Sequence, residues 1–241
     1  MIRVIFNADD FGFTRDVNEG IVEAHRNGVL TATTLMANGD AFDHAVACAR
    51  DTPSVDVGVH LVMVQGQSVA RPGQAMPATL QELALALLRG QIPVYEEAVA
   101  QVRKIIAAGI RPSHIDTHKH THLFPPVLKA VARVAREFNI PWVRQRLGVK
   151  MTLTGLRTTD HFTGFRNTGR LDEAMMIATL EKLPDGLTEF MCHPGKWGPE
   201  LQGAATRLKE SRAVELAALT SPEVRRVIER RGIKLTDYRS A

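Results

Sequence analysis

Residues 114–122 read His-Ile-Asp-Thr-His-Lys-His-Thr-His, which puts four of the chain's nine histidines in one short stretch. In a β-strand alternate side chains share a face, so His114, Asp116, His118, His120 and His122 would line one side. Such a row makes a poor apolar core, because buried polar groups have to be paired. Imidazoles beside a carboxylate are readily paired by a metal ion. The plainer alternative is a solvated loop that happens to be rich in histidine. An expression tag is excluded, since the run is interrupted and mid-chain. Three further apolar runs end in candidate groups: one in Asp9-Asp10, one in His60, and one in His193-Pro194-Gly195. A carboxylate and two imidazoles from separate strands make a mixed oxygen and nitrogen site for a divalent cation, with a position left for water. A second carboxylate could then take the water's proton, and a histidine on the far side could protonate a leaving group. Asp9 and Asp10 point to opposite sides of an extended chain. A turn at the strand end would let one bind metal while the other serves as base.

The elements that must position these groups follow from pattern and punctuation. Strands are expected at residues 2–8, 31–37, 55–61, 114–122, 142–146, 187–193 and 233–236. Helices are expected near 17–27, 41–50, 79–89, 95–108, 125–138, 171–183, 208–219 and 222–231. Thr14 or Asp16 could cap the first helix, and Gly28 would end it. Thr79 with Glu82 has the form of a capping box, and Ser221-Pro222 opens the last helix. Residues 62–78, 147–170 and 196–207 read as loops, the first long enough to be a lid or substrate-binding segment. Strand–helix alternation without a linker predicts one α/β domain over 1–241. Its form would be a (βα)-barrel-like fold with roughly seven mostly parallel strands. In that fold Asp9, Asp10, His60, His118 and His193 come from four strands and meet at the C-terminal end, where parallel barrels keep their active sites. His25 and His44 fall on helices and His161 in a loop, so all three read as surface or structural groups.

Composition narrows the function further. The chain has 241 residues, 44% of them hydrophobic, as in an ordinary globular protein. No apolar run approaches the ~20 residues that cross a bilayer, and no signal-peptide pattern precedes the first strand, so a cytoplasmic location is expected. Two cysteines in so long a chain do not form a disulfide framework. Cys48 and Cys192 are both expected in apolar packing, the latter facing away from its neighbour His193. Net charge is only +4, but residues 142–170 carry six Lys/Arg against one acid, and 201–241 carry nine against five. With aromatics at 5% and no recognisable module, a nucleic-acid partner is not expected. The basic stretches read as solvated surface, or as a patch for an anionic substrate or lipid. Asp10-Phe11-Gly12 matches a kinase metal motif, but it sits on the first strand with no glycine-rich loop or lysine strand ahead of it.

Asn7-Ala8-Asp9-Asp10-Phe11-Gly12, Gly58-Val59-His60, His114-Ile115-Asp116-Thr117-His118 and His193-Pro194-Gly195, in that order, resemble the YdjC-like carbohydrate deacetylases. The resemblance covers most of the chain. It implies a barrel-like fold and metal-dependent removal of acetyl from an N-acetylated sugar, such as an N-acetylglucosamine saccharide. It places the metal ligands on Asp10, His60 and His118 and the base on Asp9. His193 is assigned as the acid for the leaving amine, and Asp116 as a group that orients His118 or a neighbour. The family site is described with Mg²⁺; two imidazoles suit Zn²⁺ or another transition ion better, so both are carried. Lys119 stands where the chitooligosaccharide enzyme resembled here has another His. The general character is closer to a subgroup associated with hopanoid biosynthesis, which implies a glycolipid substrate and peripheral membrane contact. Homodimers are common in such families. The competing readings are another amidohydrolase-type metal enzyme and a non-catalytic sugar- or lipid-binding protein. The roles of His114, Asp116, His120 and His122 stay open at this level.

Overall fold

Strand β1 (Ile2–Phe11) is buried almost throughout and forms the spine of the sheet. Its apolar run is two-sided because both of its faces are covered, as in parallel sheets generally. The computed structural model describes residues 1–145 and 154–241. The other strands are β2 (Ala32–Leu35), β3 (Asp56–Leu61), β4 (His114–Thr117), β5 (Trp142–Val143), β6 (His161–Thr163), β7 (Gly186–Cys192) and β8 (Lys234–Leu235). Seven run in the order β5-β4-β3-β2-β1-β7-β6, and β8 pairs with β1. Every ladder is parallel.

The sheet curls until its edges meet. Arg157, on the segment that enters β6, donates its N–H to Pro141 O at 2.8 Å and accepts from Val143 N at 2.9 Å. The expected single-domain, barrel-like α/β fold is therefore present. The helices are α1 (Arg15–Asn27), α2 (Phe42–Asp51), α3 (Leu80–Leu88), α4 (Val94–Ala107), α5 (Pro125–Glu137), α6 (Glu173–Leu180), α7 (Pro199–Gly203), α8 (Glu210–Leu219) and α9 (Pro222–Arg230), with short 3₁₀ segments at His118–Leu123 and Phe165–Asn167. Thr14, rather than Asp16, caps α1 by accepting from Val17 N. Thr79 and Ser221 cap α3 and α9 as their sequences imply.

The main core lies between the sheet's outer face and the helices. There Phe6 stacks on Phe190, with ring centroids 4.9 Å apart. Cys192 is fully buried in that core, whereas Cys48 is only half-buried at its margin. A second, smaller apolar cluster closes the barrel's N-terminal end: Ile5, Ala32, Trp142, Leu187 and Tyr238.

Three expectations need correction. The strand over 114–122 stops at Thr117, because Lys119 (φ 51°) and His120 (φ 52°) turn left-handed within the 3₁₀ segment His118–Leu123. Thr117 Oγ1 accepts from His122 N at 3.0 Å and lies 2.8 Å from His122 Nδ1, so a side chain competes with the ladder. The five groups therefore do not share one face. Second, the loop expected over 147–170 contains β6, which carries His161; Arg146 and Lys150 of that basic stretch lie outside the described residues. β6 is three residues long and half-buried, and among the described strands it pairs with β7 alone, so it has no periodic signature. Third, α7 interrupts the loop expected over 196–207.

Candidate active site

The adjacent carboxylates join one cluster of side chains because the backbone breaks register. The β1–β2 pairing shifts between Ala8 and Phe11, and Asp10 adopts φ 70°. A non-glycine residue there costs ~1–3 kcal/mol, a strain typical of functional sites. Asp10 Oδ1 then lies 3.2 Å from His60 Nε2 and 3.0 Å from His118 Nδ1, and the two nitrogens are 3.3 Å apart. Asp10 and His60 are buried and His118 is 16% exposed, so one flank of this group opens outward.

Donor atoms bound at ~2.0–2.1 Å to one ion sit roughly 3 Å from each other, so this set fits a divalent cation. The outer contacts fit as well. His60 Nδ1 is 2.7 Å from Asp116 Oδ1, the carboxylate–histidine arrangement that orients a metal-binding imidazole. Thr34 Oγ1 donates to Asp116 Oδ2 at 3.1 Å. Arg212, reaching in from α8, donates to Asp10 Oδ2 at 2.5 Å. Asp9, His60 and Asp116 form a second group whose oxygens and nitrogens are close enough for an ion. Arg144 already occupies those two carboxylates, so the Asp10 group fits a cation better.

Beside this group stands a second charged cluster. Arg144, just past β5, donates from Nη1 to Asp9 Oδ2 at 2.8 Å and from Nη2 to Asp9 Oδ1 at 2.6 Å. The same guanidinium lies 2.7 Å from Asp116 Oδ2, and its Nε donates to Glu189 Oε1 at 2.7 Å. His193 Nε2 is 3.9 Å from Asp9 Oδ2, and its Nδ1 is 3.9 Å from Glu215 Oε2. Glu215 also accepts from the His193 backbone N–H at 2.5 Å, which anchors the end of β7 to α8.

Burial alone would neutralise all of these groups, and the partners decide which resist. At Asp9 burial is outweighed by Arg144, which keeps the carboxyl ionised far below the usual range. Arg212 and His118 do the same for Asp10. Burial lowers the His60 imidazole, but Asp116 and Asp10 overcome this and raise it to about 10. His193 has weaker partners, and burial lowers it to about 4, so it rests neutral. Burial likewise lifts Glu189 and Glu215 to about 7.

The structure thus brings Asp9, Asp10, His60, His118 and His193 together, with Asp116 behind His60. His114 lies deeper inside the barrel, and His122 folds back on Thr117. His120 packs its ring against Phe165, 4.7 Å between centroids. Arg144, Glu189, Arg212 and Glu215 were not singled out from sequence. Glu189 had a signal, a charged residue inside an otherwise apolar strand; Arg212 and Glu215 look like ordinary residues of a surface helix. A cleft of about 210 Å³, lined by Phe13, Met36, Asn38, Val62, Gln65 and His118 among others, opens beside the cluster. The segment after β3 thus forms one wall of it, where a substrate-binding segment was expected.

Together these features define a curled parallel α/β barrel with a carboxylate–imidazole cluster at its C-terminal mouth that could hold a metal ion, with Asp9 and His193 beside it. The chain belongs to the YdjC-like protein family, whose model matches residues 3–230. A carbohydrate deacetylase of Vibrio campbellii is 36% identical over 98% of this chain and 95% of its own length. One from Geobacillus stearothermophilus is 35% identical over 98% and 96%. Among solved structures, an Enterococcus faecalis protein described as a candidate for cellobiose-phosphate cleavage superposes with a TM-score of 0.85 and 27% identity. That match covers 99% of this chain and 98% of that one.

Proposed function

We propose that this chain is a metal-dependent hydrolase that removes the acetyl group from an N-acetylated sugar. The observation that carries the reading is the convergence of Asp10, His60 and His118 within 3.3 Å of one another, flanked by Asp9 and His193. The relatives named carbohydrate deacetylase supply the substrate class. Asp10, His60 and His118 would hold one divalent cation, which when bound polarises water and the acetyl carbonyl. Two nitrogen donors favour Zn²⁺ or another transition ion over Mg²⁺.

Around that ion the chain's own groups have separate tasks. Arg144 holds Asp9 ionised well below the usual carboxylate range, so at neutral pH Asp9 is in the form that accepts the water's proton. Being weakly basic, Asp9 releases it readily. His193, neutral at rest and 3.9 Å from Asp9 Oδ2, can receive that proton and deliver it to the departing nitrogen. Water and amide become acetic acid and amine, with one proton moved from water to nitrogen; the acid's remaining proton passes to the amine or to solvent as acetate leaves. Asp116 and Arg212 hold the ligands in place.

The finer substrate reading is an N-acetylglucosaminyl glycolipid of the hopanoid type. It rests on the subgroup resemblance and on the basic stretch that includes Arg157, Arg166 and Arg170. Absence of binding to anionic vesicles would count against membrane contact, and light scattering checks self-association. The central test is metal analysis of the purified protein together with acetate release from N-acetylglucosamine compounds, chitobiose and an N-acetylglucosaminyl lipid. Metal bound and acetate released is the expected result. A protein that takes up no divalent ion under any condition overturns the site.

A further inference from the structure

Residues 65–77, soon after β3, double back on themselves. Gln65 N donates to Pro77 O at 2.7 Å, Met76 N to Gly66 O at 2.9 Å and Ser68 N to Gln74 O at 2.8 Å, and Gln67 stands opposite Ala75 in an antiparallel bridge. The base of this ribbon belongs to the cleft: Val62, Val64, Gln65 and Gly66 line it beside His118. The tip, residues 71–75, is exposed. A lone two-stranded ribbon is marginally stable in water, so its place depends on what holds it. Val69 and Met76 give it partial apolar packing.

The polar anchors come from α4. Glu97 and Gln101 are four residues apart and so share one helix face; they are 1% and 0% exposed. Glu97 Oε1 accepts from Val69 N at 2.9 Å and from Gln101 Nε2 at 2.8 Å. Its Oε2 accepts from Ser68 Oγ at 2.5 Å and from Ala70 N at 3.0 Å. Ser68 Oγ in turn accepts from Arg71 N at 2.9 Å, which closes the ribbon's turn. Gln101 binds both backbone groups of Val62: its Oε1 accepts from the N–H at 2.9 Å and its Nε2 donates to the carbonyl at 2.7 Å. On the cleft side, Asn38 Nδ2 donates to Gln67 O at 3.0 Å. Gly66 (φ 74°) passes so close that a Cβ there would lie 2.9 Å from Asn38 Nδ2.

We propose that Glu97, which lies outside the ion cluster, is a positioning residue for substrate: it clamps the 65–77 ribbon so that the cleft wall is set before the sugar arrives, a role that rests on reading this cleft as the sugar site of the deacetylase. A carboxylate suits the task because it is all acceptor, with room for four donors. Here four donors converge on it, two of them consecutive backbone N–H groups. An amide in its place turns its NH₂ toward two of those donors, whichever way it faces. The wall then has to be ordered by the ligand, and that ordering is subtracted from binding. The chemistry at the ion is untouched, so the loss falls on KM rather than kcat.

Glu97→Gln keeps the shape of the side chain and breaks the clamp. The measurements are kcat and KM for acetate release from the best N-acetylglucosamine compound, metal affinity, and amide hydrogen exchange along the chain. We expect KM to rise about tenfold with kcat and metal affinity unchanged, the size of one buried hydrogen bond left unmade. Exchange should quicken at Val69 and Ala70 and along 65–77, and stay as in the wild type elsewhere, which also shows that the variant is folded. Ser68→Ala removes one of the four bonds and should move KM and exchange the same way by less. An unchanged KM, or a kcat and a metal affinity that fall together with it, overturns the proposal. If the wild-type protein releases acetate from no sugar, it is the deacetylase reading that falls; exchange at Val69 and Ala70 still decides the clamp, and wild-type exchange there in Glu97→Gln overturns it.

Discussion

The mouth and the floor of this barrel are both packed with buried titratable groups, but hold them in opposite states. At the mouth Asp9, Asp10 and Arg144 are all charged, each facing an opposite charge within 3 Å. At the floor burial drives His114 well below its ordinary value, and raises Asp56 and Tyr238 above theirs, so each is held toward its neutral form. The same desolvation acts at both ends. What differs is the supply of countercharge, which is concentrated at the mouth and scarce at the floor.

The sharpest way to break this contrast is to remove the mouth's central cation. Arg144→Met leaves Asp9, Asp116 and Glu189 facing one another without compensation. Breaking a buried pair in this way costs ~3–5 kcal/mol; chemical denaturation should show it, and acetate release should fall with it. A loss under ~1 kcal/mol would mean that the carboxylates simply protonate and that the mouth is no different from the floor.

Asp116→Asn should be milder. It keeps the shape but removes the charge behind His60, and such changes typically cost ~10–100-fold in metal affinity. Competition titration against a chelator would read it, and an unchanged affinity would detach Asp116 from the ion. On the floor, Gly58→Ala tests packing alone. A Cβ there would meet His114 Nδ1 at 2.6 Å, so overpacking should cost ~1–3 kcal/mol. Metal affinity should stay as it was, and a fall in it would show that the two ends are not separable.

Acid separates the ends by pH window. His114 has a folded value below its ordinary 6.5. The stability gained by keeping it neutral is therefore full above 6.5 and is lost as pH falls below it. His193, at about 4, has the same sign. Asp9 and Asp10 are depressed from 3.8, so their contribution begins to fail only below that. Between about pH 6 and 4.5, His114→Gln should flatten the stability slope by up to ~1.4 kcal/mol per pH unit, one proton's worth. An unchanged slope would mean that His114 is not the group being protonated.

How far the sequence could be read follows the same division. The mouth was legible because its groups are rare residue types at the ends of apolar strands: Asp9 and Asp10 just past 2–8, His60 near the end of 55–61, and His193 at the end of 187–193. The barrel was legible from alternation. The turn at Lys119 and His120 was hidden, since period-two spacing reads as strand unless a side chain such as that of Thr117 competes for the backbone. Arg144 sat unremarked in a basic stretch that looked like surface, and only the folded structure shows it facing three acids. The floor was almost invisible. Tyr238 and Asp56 are 182 residues apart in the chain, and no local pattern announces that they meet.

The smallest predicted effect is the most discriminating test of the floor. Ser113 Oγ carries one proton and lies 2.7 Å from both Asp56 Oδ1 and His114 Nδ1. His114 Nε2 faces Asn7 Oδ1, an acceptor because the Asn7 amide nitrogen is turned to Asp9 and Asp116. The network therefore places the His114 proton on Nε2, and Nδ1 must accept from Ser113. Asp56 is then left as the donor to Ser113, which requires its neutral acid form. Arg239 pulls the other way from 3.5 Å, but it is 44% exposed and also bonded to Ser54 O and Asp237. An amide at this position reproduces both bonds of the acid: its carbonyl accepts from Tyr238 N–H and its NH₂ donates to Ser113. Asp56→Asn should therefore lie within ~0.5 kcal/mol of the wild type in thermal unfolding, while Asp56→Ala should cost ~1–3 kcal/mol. If the two substitutions are equally damaging, Asp56 is ionised, and the floor holds a buried charge just as the mouth does.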